Sequence, residues 1–258
     1  CKGKADYVFE YGPKDLDNEF VKKNKHILSQ DRGGGYWLWK PYIILNALNK
    51  LDEGDYLFYC DSGAYFINNL KYLISELEKT DQEVMCFEAS SIEKMYSKKD
   101  AFILMQAKPE HYLSNQILGG FILLKNTSFS RKLVTEWLKY AQDYRIITDS
   151  PNELGYTNSE IFKEHRHDQT IWSLLTKKYN IKPYINPSLN QIVANRKDFV
   201  NKKSTTGGKT RKYMHYNYRQ ILVSCKKANP YIYKLKYHFL PIIQKIKKLF
   251  YLLKYEKM

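Results

Sequence analysis

Acidic residues are what this sequence is short of. Against 42 Lys and Arg it sets only 27 Asp and Glu, a formal charge of +15 over 258 residues. That imbalance suits an anionic partner: nucleic acid, an acidic membrane surface or a phosphate-bearing substrate. Composition does not choose among the three. Cysteine is scarce too. Cys1, Cys60, Cys86 and Cys225 are widely spaced and form no Cys-x-x-Cys pair. Cys60 and Cys86 lie in apolar, strand-like runs and read as buried thiols of a reducing compartment. No apolar run approaches the roughly 18 residues a membrane-spanning helix needs, and no signal peptide is visible. Internal repeats are absent. The run Ser204 to Arg211 is basic and glycine-containing but lacks P-loop spacing and follows no buried strand, which excludes that motif. The chain opens on Cys1 rather than Met, so further residues are expected before it.

What is present is an alternation of strand and helix patterns. Ala5 to Glu10 reads as a strand and Leu16 to Ser29 as a polar helix. Pro41 starts a helix carrying Ile43, Ile44, Ala47, Leu48 and Leu51 at helical spacing. A strand follows at Asp55–Cys60, then a helix from about Asn68 to Lys79 and strands at Glu83–Glu88 and Gly120–Lys125. Helices are expected over Arg131–Tyr144 and Asp168–Tyr179. Such alternation predicts an α/β fold with a mostly parallel sheet flanked by helices. Residues 1–225 are expected to form this domain, and 226–258 a basic helical tail. In that tail Ile242, Ile243, Ile246, Leu249, Phe250 and Leu253 share a stripe bordered by Lys245, Lys247, Lys248 and Lys254. It reads either as a helix docked on the body or as an interfacial helix on an anionic bilayer.

Four segments carry candidate chemistry. Arg32-Gly33-Gly34-Gly35-Tyr36-Trp37-Leu38-Trp39-Lys40-Pro41 combines glycines that allow close backbone approach, two cations for phosphate and flat indole faces. Its plainer reading is a glycine hinge before core tryptophans. Tyr59-Cys60-Asp61-Ser62-Gly63 brings a carboxylate to a strand end, where open sheets bind ligands, though Asp-Ser-Gly is also ordinary turn chemistry. Asn115 to Gly120 is a polar loop entering an apolar strand, with room beside Gly119. His165-Arg166-His167-Asp168-Gln169 precedes an apolar helix. Asp168 either caps that helix or belongs to a cluster able to hold sugar hydroxyls and supply a base.

In this order the segments resemble the GT-A glycosyltransferases, nearest to bacterial polysaccharide and lipopolysaccharide sugar transferases of the glycogenin and galactosyltransferase type. The likeness covers roughly Ala5 to Tyr218 and rests on Gly35–Pro41, Tyr59–Gly63 and His167-Asp168-Gln169. It implies catalytic roles for Asp168 and Asp61. It also implies a donor site of Arg32, Gly33, Tyr36, Trp37, Lys40, Asp61, Ser62, Gly63, Asn115, Gly119, Gly120, His167 and Gln169. In the family an Asp-x-Asp motif holds a divalent cation, Mn2+ or Mg2+, against the donor diphosphate. Here Asp61 matches its first aspartate and Gly63 replaces its second, with His215 similar to a late histidine ligand. The domain either lacks the first strand of such folds or uses Tyr7–Tyr11 in its place.

The expectation is therefore a hexosyltransferase moving a sugar from a nucleotide-sugar, a UDP-sugar by preference, to a lipid-linked saccharide. The product would be a bacterial surface polysaccharide: capsule, O-antigen or lipopolysaccharide. The enzyme would work in the cytoplasm, peripherally on the inner face of the plasma membrane through its tail. It is expected to bind no nucleic acid, and a homodimer is compatible with the sequence. The alternative is a non-catalytic basic module for nucleic acid or anionic glycan, whose aromatics interleave with Lys and Arg. Against it, none of the usual nucleic-acid module signatures is present.

Overall fold

A computed structural model of the chain describes residues 2–188, 218–224 and 239. His215, the Ser204–Arg211 loop, Cys225 and the tail apart from Phe239 lie outside the described residues.

Seven strands are described: β1 Tyr56–Cys60, β2 Ala64–Phe66, β3 Val84–Met85, β4 Glu88–Ile92, β5 Asn115–Ile117, β6 Phe121–Lys125 and β7 Leu222–Ser224. They form a three-stranded sheet in the order β1-β6-β3 and two ribbons, β2-β7 and β4-β5. Every ladder is antiparallel, and the parallel contact among the described residues is a single bridge between Phe87 and Tyr184. The expected mostly parallel sheet is thus corrected. Both β1 and β3 run against β6, so they point the same way, and the Lys71–Leu77 helix joins them as a crossover should. β6 then enters between them in the opposite direction. Apolar runs reveal where strands are, but not which strand is inserted beside which.

Ala5 to Glu10 is corrected as well. Among the described residues it joins no ladder, and Tyr7 and Val8 are exposed, so neither it nor Tyr7–Tyr11 supplies a first strand there. The polar helix before Ser29 divides into Asn18–Lys23, whose N-terminal amides of Glu19 and Phe20 donate to the Asp17 carboxylate, and Lys25–Leu28.

Strand periodicity divides the sheet's side chains between two cores. On one face Leu57, Tyr59, Ile122, Leu124 and Val84 pack against helices. On the other, Tyr56, Phe58, Cys60, Phe121, Leu123 and Met85 pack with Leu73, Leu77, Tyr184, Tyr218 and Leu222. The helical layer is Trp39–Leu48, Ser128–Ala141 and His167–Lys178. The last two meet through Trp137 and Trp172, fully buried with ring centroids 4.8 Å apart. Each residue of β1, an edge strand among the described residues, is half-buried, whereas β3 at the opposite edge is fully buried.

Candidate active site

Asp61 follows β1, two residues after Tyr59, and so shares the helix-facing side of the sheet with it. Its backbone N–H donates to Gly120 O at 2.9 Å, continuing the β1–β6 ladder past Cys60 and Phe121. Its side chain receives the Tyr59 hydroxyl on Oδ1 at 2.9 Å. Burial and the Asp61 charge together push the Tyr59 phenol far above its ordinary pKa, so it remains a donor. Asp61 thus ends a flanking strand of the described sheet, in which β6 is central. Ser62 is exposed and Gly63 half-buried, in the turn from β1 to β2.

Lys40, in the first turn of the Trp39–Leu48 helix, reaches Asp61 from below. It is 3% exposed, and its Nζ lies 2.5 Å from Asp168 Oδ2, 3.5 Å from Asp61 Oδ1 and 3.2 Å from Gly119 O. Three ammonium protons thus meet three acceptors. Burial works against the charge, yet Asp168 and Asp61 outweigh it and hold the Lys40 pKa above the ordinary lysine value. Asp168 is nearly buried in the first turn of its helix, which has Arg166 at its N-cap. Asp168 therefore does not cap the helix. Burial raises its carboxyl above the usual range, Lys40 pulls it back, and the Asp61 charge adds to the rise.

Two glycines make this approach possible. A Cβ on Gly120 would stand 2.7 Å from Asp61 Oδ2, and one on Gly119 would stand 3.2 Å from both Asp168 Oδ2 and the Gln169 backbone. The Gly119 N–H donates to Gln169 Oε1 at 3.2 Å, and Gln169 Nε2 donates to Gln116 Oε1 at 2.9 Å. Gln116 in turn donates to Glu93, which is fully buried beside Lys177. Arg166 lies over the Tyr96 ring, with its Cζ 3.7 Å from the centroid, and donates to Ser91. Asn115 begins β5 opposite Ile92. Gln116 and Arg166 belong to the segments singled out in the sequence, but nothing there distinguishes them from their neighbours. Glu93 and Lys177 gave no signal at all.

The glycine segment is a turn of left-handed helix. Gly33, Gly34, Gly35, Tyr36 and Trp37 all have positive φ, from +52° to +88°. Left-handed backbone costs a residue with a Cβ roughly 1–2 kcal/mol, so Tyr36 and Trp37 are held there by their surroundings. Gly35 has no room for a Cβ, which would lie 2.6 Å from Leu28 Cα, and Trp37 packs flat over Gly33. Trp39 Nε1 donates to Gly33 O at 2.9 Å. Trp39 therefore serves the hinge and core. Tyr36 and Trp37 flank the His167 ring, at centroid distances of 4.8 and 5.5 Å. His167 is buried, and its Nδ1 contacts Ile147 O at 2.7 Å.

Arg32 does not stand free for phosphate: it pairs with Asp149 at 2.9 Å and Glu164 at 3.7 Å. The structure thus brings together Lys40, Asp61, Gly119, Gly120, Asp168 and Gln169. It sets Arg32 apart from them and keeps Tyr36, Trp37 and His167 as a neighbouring aromatic stack. A cavity of about 450 Å³ lies elsewhere, at Lys23, Asn24, His26 and Lys139, so the Asp61 turn does not adjoin it. Among the described residues no group of three His, Cys, Asp or Glu could hold a metal ion. The place between the two carboxylates is taken by Lys40. The described donor set does not fit a divalent cation held by paired acids.

No protein-family profile matches the chain, and no curated protein matches it. Among solved structures, the apo crystal structure of mouse xyloside xylosyltransferase 1 is similar at a TM-score of 0.39 and 10% identity, over 82% of this chain and 72% of that one. A likeness of that degree assigns no activity. No helix among the described residues is long and apolar enough to cross a membrane.

Proposed function

We propose that the chain is a glycosyltransferase taking its sugar from a nucleotide-sugar, with a UDP-sugar as the first donor to test. The observation that carries this reading is the convergence of Asp61, Lys40 and Asp168 beside Gly119-Gly120. Two carboxylates share one ammonium, so the trio carries one net negative charge in a confined, partly desolvated setting. Asp61 is the open member, with 27% of its side chain exposed against 6% for Asp168. The acceptor hydroxyl oxygen attacks the anomeric carbon as the bond to the diphosphate oxygen breaks, and the hydroxyl proton passes to the carboxylate pair through Asp61. Asp168 acts from beneath through Lys40, fixing the position and charge of its partner. The lipid-linked saccharide acceptor, the role in bacterial surface glycan synthesis and attachment to the inner membrane face belong to this same proposal. They rest on the order of motifs and on the basic tail.

Thermal stability against a panel of nucleoside diphosphates, with and without Mn2+, tests the reading, followed by donor hydrolysis by Asp61→Asn. One nucleoside diphosphate is expected to stabilise the protein while oligonucleotides do not. Asp61→Asn should lose turnover and stay folded. Stabilisation by oligonucleotides alone would favour a basic binding module, and full turnover by the variant would return Asp61 to a turn residue.

A further inference from the structure

At Arg32, where the left-handed turn begins, lies a half-enclosed cavity of about 330 Å³. Its walls include Arg32, Lys98, Asp149, Asn158, Lys163 and His165. Lys98 is the unusual member. It is only 3% exposed, and its ammonium donates to Ser150 O at 2.7 Å and Ser150 Oγ at 3.1 Å, both neutral acceptors. Among the described residues it has no carboxylate within ion-pairing distance. A nearly buried cation with only neutral contacts is costly to maintain, and burial indeed lowers the Lys98 pKa against the pull of nearby acids.

The remaining groups tilt the same way. Arg32, Lys98 and Lys163 face two carboxylates, Asp149 and Glu164, and Arg32 already spans both of these. Lys163 has no described ion pair. The Asn158 amide oxygen is occupied, accepting from Lys99 N at 2.8 Å and Asn152 Nδ2 at 2.9 Å, which leaves its NH2 group as a donor. His165 is neutral. Its Nδ1 accepts from Lys98 N at 3.2 Å, its Nε2 hydrogen goes to Ile146 O at 2.7 Å, and burial holds its pKa well below the ordinary value. Among the lining side chains cations exceed acids by one and donors are in surplus, while Asp100, Glu153 and Asp143, outside the lining, also act on the Lys98 charge. Phe162 and Pro151 add apolar wall.

We propose that this cavity binds a ligand through one anionic group, a phosphate monoester or a carboxylate, seated against Lys98 with Asn158 and Lys163 as further donors. A sugar bearing that group fits the mixed lining, its ring lying on Phe162 and its hydroxyls reaching Asp149 and Glu164. The walls belong to segments that continue into the candidate active site, from Arg32 to Lys40 and from Glu164 to Asp168. The assignment does not depend on the transfer reading, because binding needs neither donor nor turnover.

Isothermal titration calorimetry on the full chain tests it, with inorganic phosphate, glucuronate and glucose as separate probes. Saturable binding of phosphate or glucuronate, and none of glucose, is expected. Lys98→Met should weaken it by about ten-fold or more, the loss of one charge-assisted contact. Lys163→Ala, at an exposed position, should weaken it by roughly three-fold while leaving the fold intact, which keeps the test open if Lys98→Met does not fold. Asp61→Asn should leave it unchanged. Equal binding of glucose and glucuronate, no saturation by either anion, or full affinity in both lysine variants would overturn the proposal. So would equal loss in Asp61→Asn, which would place the anion at the other site.

Discussion

Replacing Lys40 with Met removes a cation that Asp61 and Asp168 share. The methionine fills most of the space, so the effect reports charge rather than volume. Asp168 is 4% exposed, and its Oδ2 loses a partner at 2.5 Å. Stranding one member of a buried ion pair costs about 3–5 kcal/mol. For a chain of this size that lowers the melting temperature by roughly 10 °C. Asp168 then stays protonated to higher pH in the folded state than in the unfolded chain, because Lys40 no longer opposes the burial that raises its pKa. The fold therefore binds the extra proton, and the variant gains stability as pH falls through that raised value, whereas unfolding is favoured above it. Urea unfolding followed by tryptophan fluorescence, at about pH 5 and about pH 8, reads both effects. Lys40→Met combined with Asp168→Leu should recover most of the loss, since a buried pair replaced by apolar groups is often neutral. If Lys40→Met unfolds within about 1 kcal/mol of the parent, the buried pair is not what holds this site together. A double variant worse than the single would refute the argument equally.

Three further outcomes follow from other parts of the molecule. Gly34→Ala should cost about 1 kcal/mol, because it meets only the positive φ and Trp39 Nε1 at 3.7 Å, while Gly35→Ala should cost about 3 kcal/mol or more through its contact with the Leu28 backbone; equal melting temperatures would mean the left-handed turn is absent in solution. Burial holds both His165 and His167 below the ordinary histidine pKa, so the unfolded chain takes up protons first and stability should fall as pH drops through about 6.5, with a shallower slope in His165→Gln; a flat profile down to about pH 5.5 would contradict this. The Cys60 thiol, pushed up to about 12 by burial and the Asp61 charge, should resist alkylation near neutral pH in a Cys1→Ser/Cys225→Ser background, and labelling as fast as in the urea-unfolded chain would show that the β1 edge opens.

Much of the local order was legible in the residues. Pro41 and the apolar spacing after it mark a helix, and the Tyr56–Cys60 run marks a strand, because propensity and periodicity act over a few neighbours. The pairing of Asp61 with Asp168 in one place was expected from their order, whereas the room expected beside Gly119 is taken by Asp168 and Gln169. What the chain could not disclose is long-range. β6 inserts between β1 and β3 and reverses the sheet, a choice made by burying both of its faces at once. Lys40 looks in sequence like a surface cation for phosphate, yet it is buried, because only the fold sets two carboxylates and the Gly119 carbonyl around its three protons. Arg32 was spent on Asp149 and Glu164, residues more than a hundred positions away. Charge in a sequence is a count, whereas charge at a site depends on which groups share a low-dielectric space. That sharing is a property of tertiary structure alone.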